Sequence, residues 1–261
     1  MKRYLLILLL TACTALCLSA KTIKRKAQLP APPEPDAMAL HLQPDRGLPD
    51  QQEPGSTDVP VLKCREGIDV SHYQYQIDWQ RVAQEGQVGY AYIKATEGAE
   101  LQDEYYRYNI EQARHAGIRV GSYHFFRAHV PLDQQLSNMT SVVKAEEQDM
   151  LPLIDVESLN RVKPAEMVRR LKVFLQRVTA HYGKKPAIYT FVNFYNKYLA
   201  GAGLEDYPLM IAFYRDAQPE LRDGRKYVIW QYTASGDVPG VDGEVDRSIL
   251  MDEFQFSDIS F

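Results

Sequence analysis

Cysteine is nearly absent from this 261-residue sequence: there are three, and two of them, Cys13 and Cys17, fall in the first twenty residues. The rest of the chain holds Cys64 alone. No internal disulfide can staple that part, so it depends on a packed core. An excess of positive charge is also missing. Lys+Arg number 30 against 34 Asp+Glu, for a formal net charge of −4, so there is no basic field to attract nucleic acid and that class of partner is disfavoured. His and Cys do not cluster at metal-ligand spacing, and neither a metal nor another cofactor is expected. No internal repeat is visible. Tryptophan is scarce, with 2, whereas tyrosine reaches 17. A tyrosine at a cleft suits flat, half-polar ligands such as sugars, because the ring stacks while the hydroxyl hydrogen-bonds; the plainer reading makes most of them half-buried packing residues.

Charge is absent again from Tyr4 to Ala20, a Leu-rich run preceded by Lys2 and Arg3. This pattern reads as a targeting segment over residues 1–20. Leu10-Thr11-Ala12-Cys13 resembles a lipobox, Leu18-Ser19-Ala20 offers a rival cleavage site, and an uncleaved anchor is the third option, near the short limit for a span. All three send the domain out of the cytoplasm, and membrane contact is expected only through this anchor or its lipid. Residues 21–63 carry Pro30, Pro32, Pro33, Pro35, Pro44, Pro49, Pro54 and Pro60 with few aromatics. Such a stretch buries too little apolar surface to fold and reads as an extended linker. Residues 64–261 remain for one folded domain, expected to act as a monomer.

Within that domain, short apolar runs alternate with helical patterns. Runs at Gly67–Ser71, Tyr90–Ala95, Arg119–Phe126, Leu151–Val156 and Pro186–Phe191 are each followed by a helical stretch, at Asp78–Glu85, Glu104–His115, Leu132–Glu147, Pro164–His181 and Asn193–Leu199. Pro164 lies in the first turn of the fourth helix and Gly183 just past its end. Strand, helix, strand at this rhythm predicts a parallel sheet with crossover helices. Leu209–Tyr214, Tyr227–Thr233 and Val245–Leu250 add three strands whose connections are too short for good helices. The expectation is an α/β fold: an irregular TIM-like barrel of eight strands with about five helices, helix-poor in its last third.

Reactive groups of a parallel barrel collect at the C-terminal strand ends. Asp155 and Glu157 close the fourth run. Acids at i and i+2 of a strand share a face, with backbone positions about 6.5–7 Å apart. Repulsion and desolvation raise the pKa of both, which is how a carboxyl keeps a proton near neutral pH. Glycoside hydrolysis uses such a pair, one protonated for the leaving oxygen and one ionised for developing positive charge. The alternative is that both merely flank a strand end or cap the next helix. Asp69 lies in an otherwise apolar run and, if buried, needs partners. Asp246 opens the eighth run, which neighbours the first in a closed barrel, so Asp69 and Asp246 are expected to be close. His124 fits a ligand, a base or a hydrogen-bonded core residue, the last preferred. Asn138-Met139-Thr140 matches a glycosylation sequon.

Seven segments, in order, resemble glycoside hydrolase family 25, the N-acetylmuramidase lysozymes. They are Gly67-Ile68-Asp69-Val70-Ser71-His72, Tyr92-Ile93-Lys94-Ala95-Thr96-Glu97-Gly98, Gly121-Ser122-Tyr123-His124-Phe125, Asp155-Val156-Glu157, Ile188-Tyr189-Thr190, Ile229-Trp230-Gln231-Tyr232 and Gly240 to Asp246. The resemblance runs from about Gly67 to Leu250. It implies a barrel of eight strands and five helices, with glycan strands of peptidoglycan as the substrate. It implies Glu157 as general acid and Asp155 as the group that orients or stabilises the substrate N-acetyl group. Asp69 and Asp246 match the remaining acidic positions, and Tyr123, Tyr189, Trp230 and Gln231 fall on groove-lining segments. The sequence departs from many relatives at Met210, where they carry Trp, and Glu244 adds a charge expected to raise the pKa of Asp246. A family 18 chitinase-like enzyme also ends a strand with Asp-x-Glu, but its longer motif has Asp where Leu153 and Met150 stand here. A non-catalytic peptidoglycan-binding barrel is the alternative from another class, and retention of all four acids argues against it.

Overall fold

The computed structural model describes residues 64–261. The expected leader, with its lipobox at Cys13, and the Pro-rich stretch up to residue 63 lie outside the described residues. In chain order the elements are β1 (Glu66–Val70), α1 (Trp79–Glu85), β2 (Tyr90–Glu97), β3 (Leu101–Gln102), α2 (Tyr106–His115), β4 (Arg119–Phe125) and α3 (Leu132–Val142). They continue with β5 (Leu153–Asp155), α4 (Pro164–Tyr182), β6 (Ala187–Phe191), α5 (Val192–Phe194), β7 (Leu209–Ala212), β8 (Ile229–Gly236) and β9 (Val245–Leu250). A π-helical turn over Tyr195–Leu199 extends α5. No described helix is long and apolar enough to cross a membrane.

Helix limits follow local chemistry. Asp78 caps α1 by accepting from the Arg81 N–H at 3.1 Å, and Gly86 ends it at φ 68°. Pro164 opens α4 and Gly183 closes it at φ 74°, as the sequence suggested. Met167, Leu171, Phe174, Leu175 and Val178 form the buried stripe of α4. The α3 helix stops earlier than expected: Val143 is extended, and only a 3₁₀ turn at Ala145–Glu147 follows.

Strands β2, β4, β5, β6, β7 and β8 run parallel in that spatial order, β1 pairs parallel with β2, and β9 closes the ring between β8 and β1. This is the expected eight-stranded barrel with five helices, with β3 as a small hairpin on the end of β2. One orientation differs from the expected parallel sheet. Strand β9 is antiparallel to both neighbours. The 237–244 connection is too short for a crossover helix, so the chain can only return in the opposite direction.

Two apolar layers result from strand alternation. Outward side chains such as Ile93, Ile154, Ile188 and Ile211 pack on the helices, with Leu171 and Phe174 among their partners. Inward side chains Tyr90, Tyr92, Leu153, Met210 and Ile229 fill the barrel. Each fully buried side chain of this kind contributes about 1.5–3 kcal/mol. The two tyrosines fit because their register partners are glycines. Gly67 pairs with Tyr90 and Gly121 with Tyr92, and a Cβ added there would lie 2.1 and 2.5 Å from the respective rings. The C-terminal segment seals the lower end, with Phe256 and Ile259 in the interior cluster and the Leu151 N–H donating to the Ile259 carbonyl at 2.8 Å. Asn138 of the sequon turns inward: its amide donates to the Gly98 and Leu101 carbonyls at 3.1 and 3.0 Å and holds the β2–β3 hairpin.

Candidate active site

Asp69, Asp155, Glu157 and Asp246 line one cleft of about 230 Å³ at the C-terminal ends of the parallel strands. Asp155 is the last residue of β5 and faces inward in step with Leu153; Glu157 follows two residues later on the same side. Asp69 on β1 is directly opposite Asp246 on β9. The reversal of β9 makes this possible. Asp246 lies near the start of its strand, which in a parallel strand would be the far end of the barrel.

Tyr123, Tyr189 and Gln231 also border the cleft, as the sequence led us to expect. Trp230 does not. Neighbours on a strand point to opposite faces, and since Gln231 faces in, Trp230 packs outward on the helix-side core, its indole N–H donating to the Phe213 carbonyl at 2.9 Å. Met210 lies in the interior cluster and is not among the residues bordering the cleft. His124 is buried and neutral. Its ring bonds Thr96 Oγ1 at 2.8 Å and Gln135 Oε1 at 3.3 Å, and burial pushes it down to about 4.

Gln231 is fixed from both ends. Its Oε1 accepts from the hydroxyls of Tyr189 and Tyr214, both at 2.8 Å, and its Nε2 donates to Asp69 Oδ2 at 3.0 Å. Burial keeps both phenols protonated well past neutrality, so each acts as a donor, and the amide can only present its N–H₂ to Asp69 Oδ2. On the other wall, Lys94 Nζ donates to Glu97 Oε2 at 2.8 Å and Arg127 Nε donates to Glu97 Oε1 at 2.9 Å. Burial alone would raise Glu97, but these two cations outweigh it and hold it below its ordinary value.

Four carboxyls share the cleft with the single ammonium of Lys94, which Glu97 already pairs. They cannot all ionise at neutral pH. Burial, then the charge of Asp246, pushes Asp69 up to about 8 against the hydrogen bond from Gln231. Asp246 is raised to about 6 by burial; it ionises first, against a neutral Asp69, so only Asp69 feels the repulsion. Glu244 is exposed and contributes nothing to this rise, contrary to the sequence reading. Asp155 is held well above the carboxylate range by burial and then by Glu157, with Lys94 opposing. Glu157 is raised by burial and then by Asp246, with Lys94 and Arg127 opposing. One Asp155 oxygen, Oδ1, is buried without a hydrogen-bond partner.

Residues 68–241 match the family described as "Glycosyl hydrolases family 25". The chain belongs to this family. Among similar proteins, the uncharacterized protein YegX of Escherichia coli K12 is 35% identical over 196 residues, covering 74% of this chain and 71% of YegX. Lysozyme M1 of Streptomyces globisporus is 29% identical over 258 residues, covering 90% and 86%. Among solved structures, a family 25 glycosyl hydrolase from Bacillus anthracis superposes with a TM-score of 0.65 at 29% identity, covering 79% of this chain and 97% of that one. The protein is a glycoside hydrolase of the family 25 lysozymes.

The sequence reading of this family 25 site missed Tyr73, Gln74, Lys94 and Tyr214. Lys94 was within reach, because it continues the inward parity of Tyr90 and Tyr92. Tyr214 follows the end of β7, where alternation no longer applies.

Proposed function

We propose that this enzyme hydrolyses the β-1,4 bond between N-acetylmuramic acid and N-acetylglucosamine in bacterial peptidoglycan, outside the cytoplasm, with Glu157 as general acid. The observation that carries this reading is the pairing of Glu157 with Asp155. Glu157 is half-buried at the cleft surface, with its proton retained by burial and by Asp246. It can therefore deliver that proton to the bridging oxygen of a bound glycan. Behind it, the unpartnered Asp155 Oδ1 is a buried acceptor in want of a donor. The amide N–H of a substrate N-acetyl group is such a donor, and the bond would hold that group against the anomeric carbon. Tyr123, Tyr189 and Gln231 complete the binding wall, and Asp246, which ionises at about 6, supplies negative potential as positive charge develops on the sugar, with Asp69 opposite it retaining its proton.

A similarity to proteins called lysozymes supports the substrate class. The charge-free segment after Arg3 supports export, by lipidation, anchoring or secretion. A zymogram with embedded cell walls tests the acid: the wild type clears the gel and Glu157→Gln leaves it opaque. Mass spectrometry of the released sugar ends should find reducing N-acetylmuramic acid; reducing N-acetylglucosamine would assign the enzyme to the other linkage. If no clearing occurs while the protein still binds walls, the non-catalytic alternative stands.

A further inference from the structure

The loop after β1 holds an exposed residue in a conformation that suits glycine. Tyr75 has φ 55° and ψ −138°, a region that side chains of L residues rarely adopt. Hydrogen bonds impose it. The Tyr75 N–H donates to the His72 carbonyl at 3.1 Å, and Asn109 Nδ2 donates to the Tyr75 carbonyl at 3.1 Å. Asn109 is itself buried and tied to Trp79 Nε1 at 3.0 Å. Core packing does not account for a tyrosine here, because its side chain is in solvent. The residue is 61% exposed and touches one other ring, Tyr105, edge-on at 5.9 Å.

Two residues earlier, Tyr73 is 73% exposed and borders the acid cleft, as does Gln74. The Tyr73 ring lies 4.1 Å from that of His72, which Asp103 Oδ2 pins through Nδ1 at 3.0 Å. Tyr75 follows Tyr73 by two residues in the one loop that also supplies Ser71 and Gln74 to the cleft wall, and Tyr105 packs edge-on against Tyr75. We infer that Tyr75, with Tyr73 and Tyr105, binds further sugar units of the glycan strand whose scissile bond lies at the acids. A pyranose offers apolar C–H faces that a tyrosine ring covers and hydroxyl edges that a phenol can bond. The loop's place in the cleft wall, through Ser71, Tyr73 and Gln74, is the reason to assign a saccharide rather than another occupant. The inference rests on the family 25 reading above.

The test measures binding in the Glu157→Gln background, which separates it from hydrolysis. Cosedimentation is run with purified sacculi and with glycan strands stripped of stem peptides. Tyr75→Gly should weaken binding to both about tenfold, equivalent to about 1.4 kcal/mol, while Tyr75→Phe, which keeps the ring, restores it. The melting temperature of Tyr75→Gly should hold or rise, since glycine relieves the backbone strain. Equal binding by all three proteins overturns the inference. A loss on sacculi alone assigns the ring to stem peptide and also overturns it. So does a loss with a lowered melting temperature and no rescue by Phe, or a dimer in sedimentation that Tyr75→Gly dissolves. Absence of new sugar ends from wild-type digests would instead strike the hydrolase reading, whatever the binding data say.

Discussion

Replacing Asp69 by Asn should stabilise the protein, and more so as pH rises. Burial and the charge of Asp246 push Asp69 up to about 8 in the folded state, from an ordinary value of 3.8. The sign follows from proton counting. Below pH 3.8 both states hold the proton and burial of Asp69 carries no ionisation penalty. Between 3.8 and 8 the unfolded chain releases its proton and the folded chain does not, so stability falls with rising pH until the folded carboxyl also ionises. At about 1.4 kcal/mol per pH unit, the loss between pH 5 and pH 7 is of order 2–3 kcal/mol. Asn removes the ionisation and keeps an oxygen to accept from Gln231. Its advantage over wild type should therefore grow by about 2 kcal/mol across those two units, or roughly 4–8 °C in melting temperature for a domain of this size. Thermal scans of both proteins at pH 5, 6 and 7 provide the measurement. Parallel curves for the two, or a less stable variant at pH 7, would refute the assignment of a raised pKa to Asp69. Activity on cell walls should meanwhile fall, the usual exchange of stability for function at a site built from repelling groups.

Other expectations follow from the same geometry. Asp246→Asn removes a charge that holds the proton on Glu157, so the basic limb of the pH–rate profile should move to lower pH; an unmoved limb would mean that Asp246 does not act on the acid. Gly121→Ala places a Cβ 2.5 Å from the Tyr92 ring and 3.0 Å from Met150 Cβ and should cost about 1–3 kcal/mol by overpacking, read by urea denaturation. Glu157→Gln should abolish clearing in the zymogram without lowering the melting temperature, because a partly buried carboxyl kept protonated is close to an amide in charge.

Much of this was legible in the sequence because a parallel barrel strand is apolar on both faces and an acid within one is conspicuous. Asp69, Asp155 and Glu157 stood out for that reason, and family resemblance added their companions. The direction of β9 was not legible from its own residues; it is set by the length of the connection before it. Trp230 was misplaced for a different reason. A motif quoted as a block, Ile229-Trp230-Gln231-Tyr232, hides the alternation that sends adjacent side chains to opposite faces. The depression of Glu97 depends on Lys94 and on Arg127, the second thirty residues away, a proximity that spacing along one chain does not encode. The backbone of Tyr75 is fixed by Asn109, thirty-four residues away, so local propensity has no bearing on it.

Tyr90, Tyr92, Met150, Phe256 and Ile259 together close the barrel below the acids. The reaction chamber consequently has one mouth. A polymer cannot be threaded through it end-first and must be laid over the opening, so both halves of a severed strand leave by the way they came.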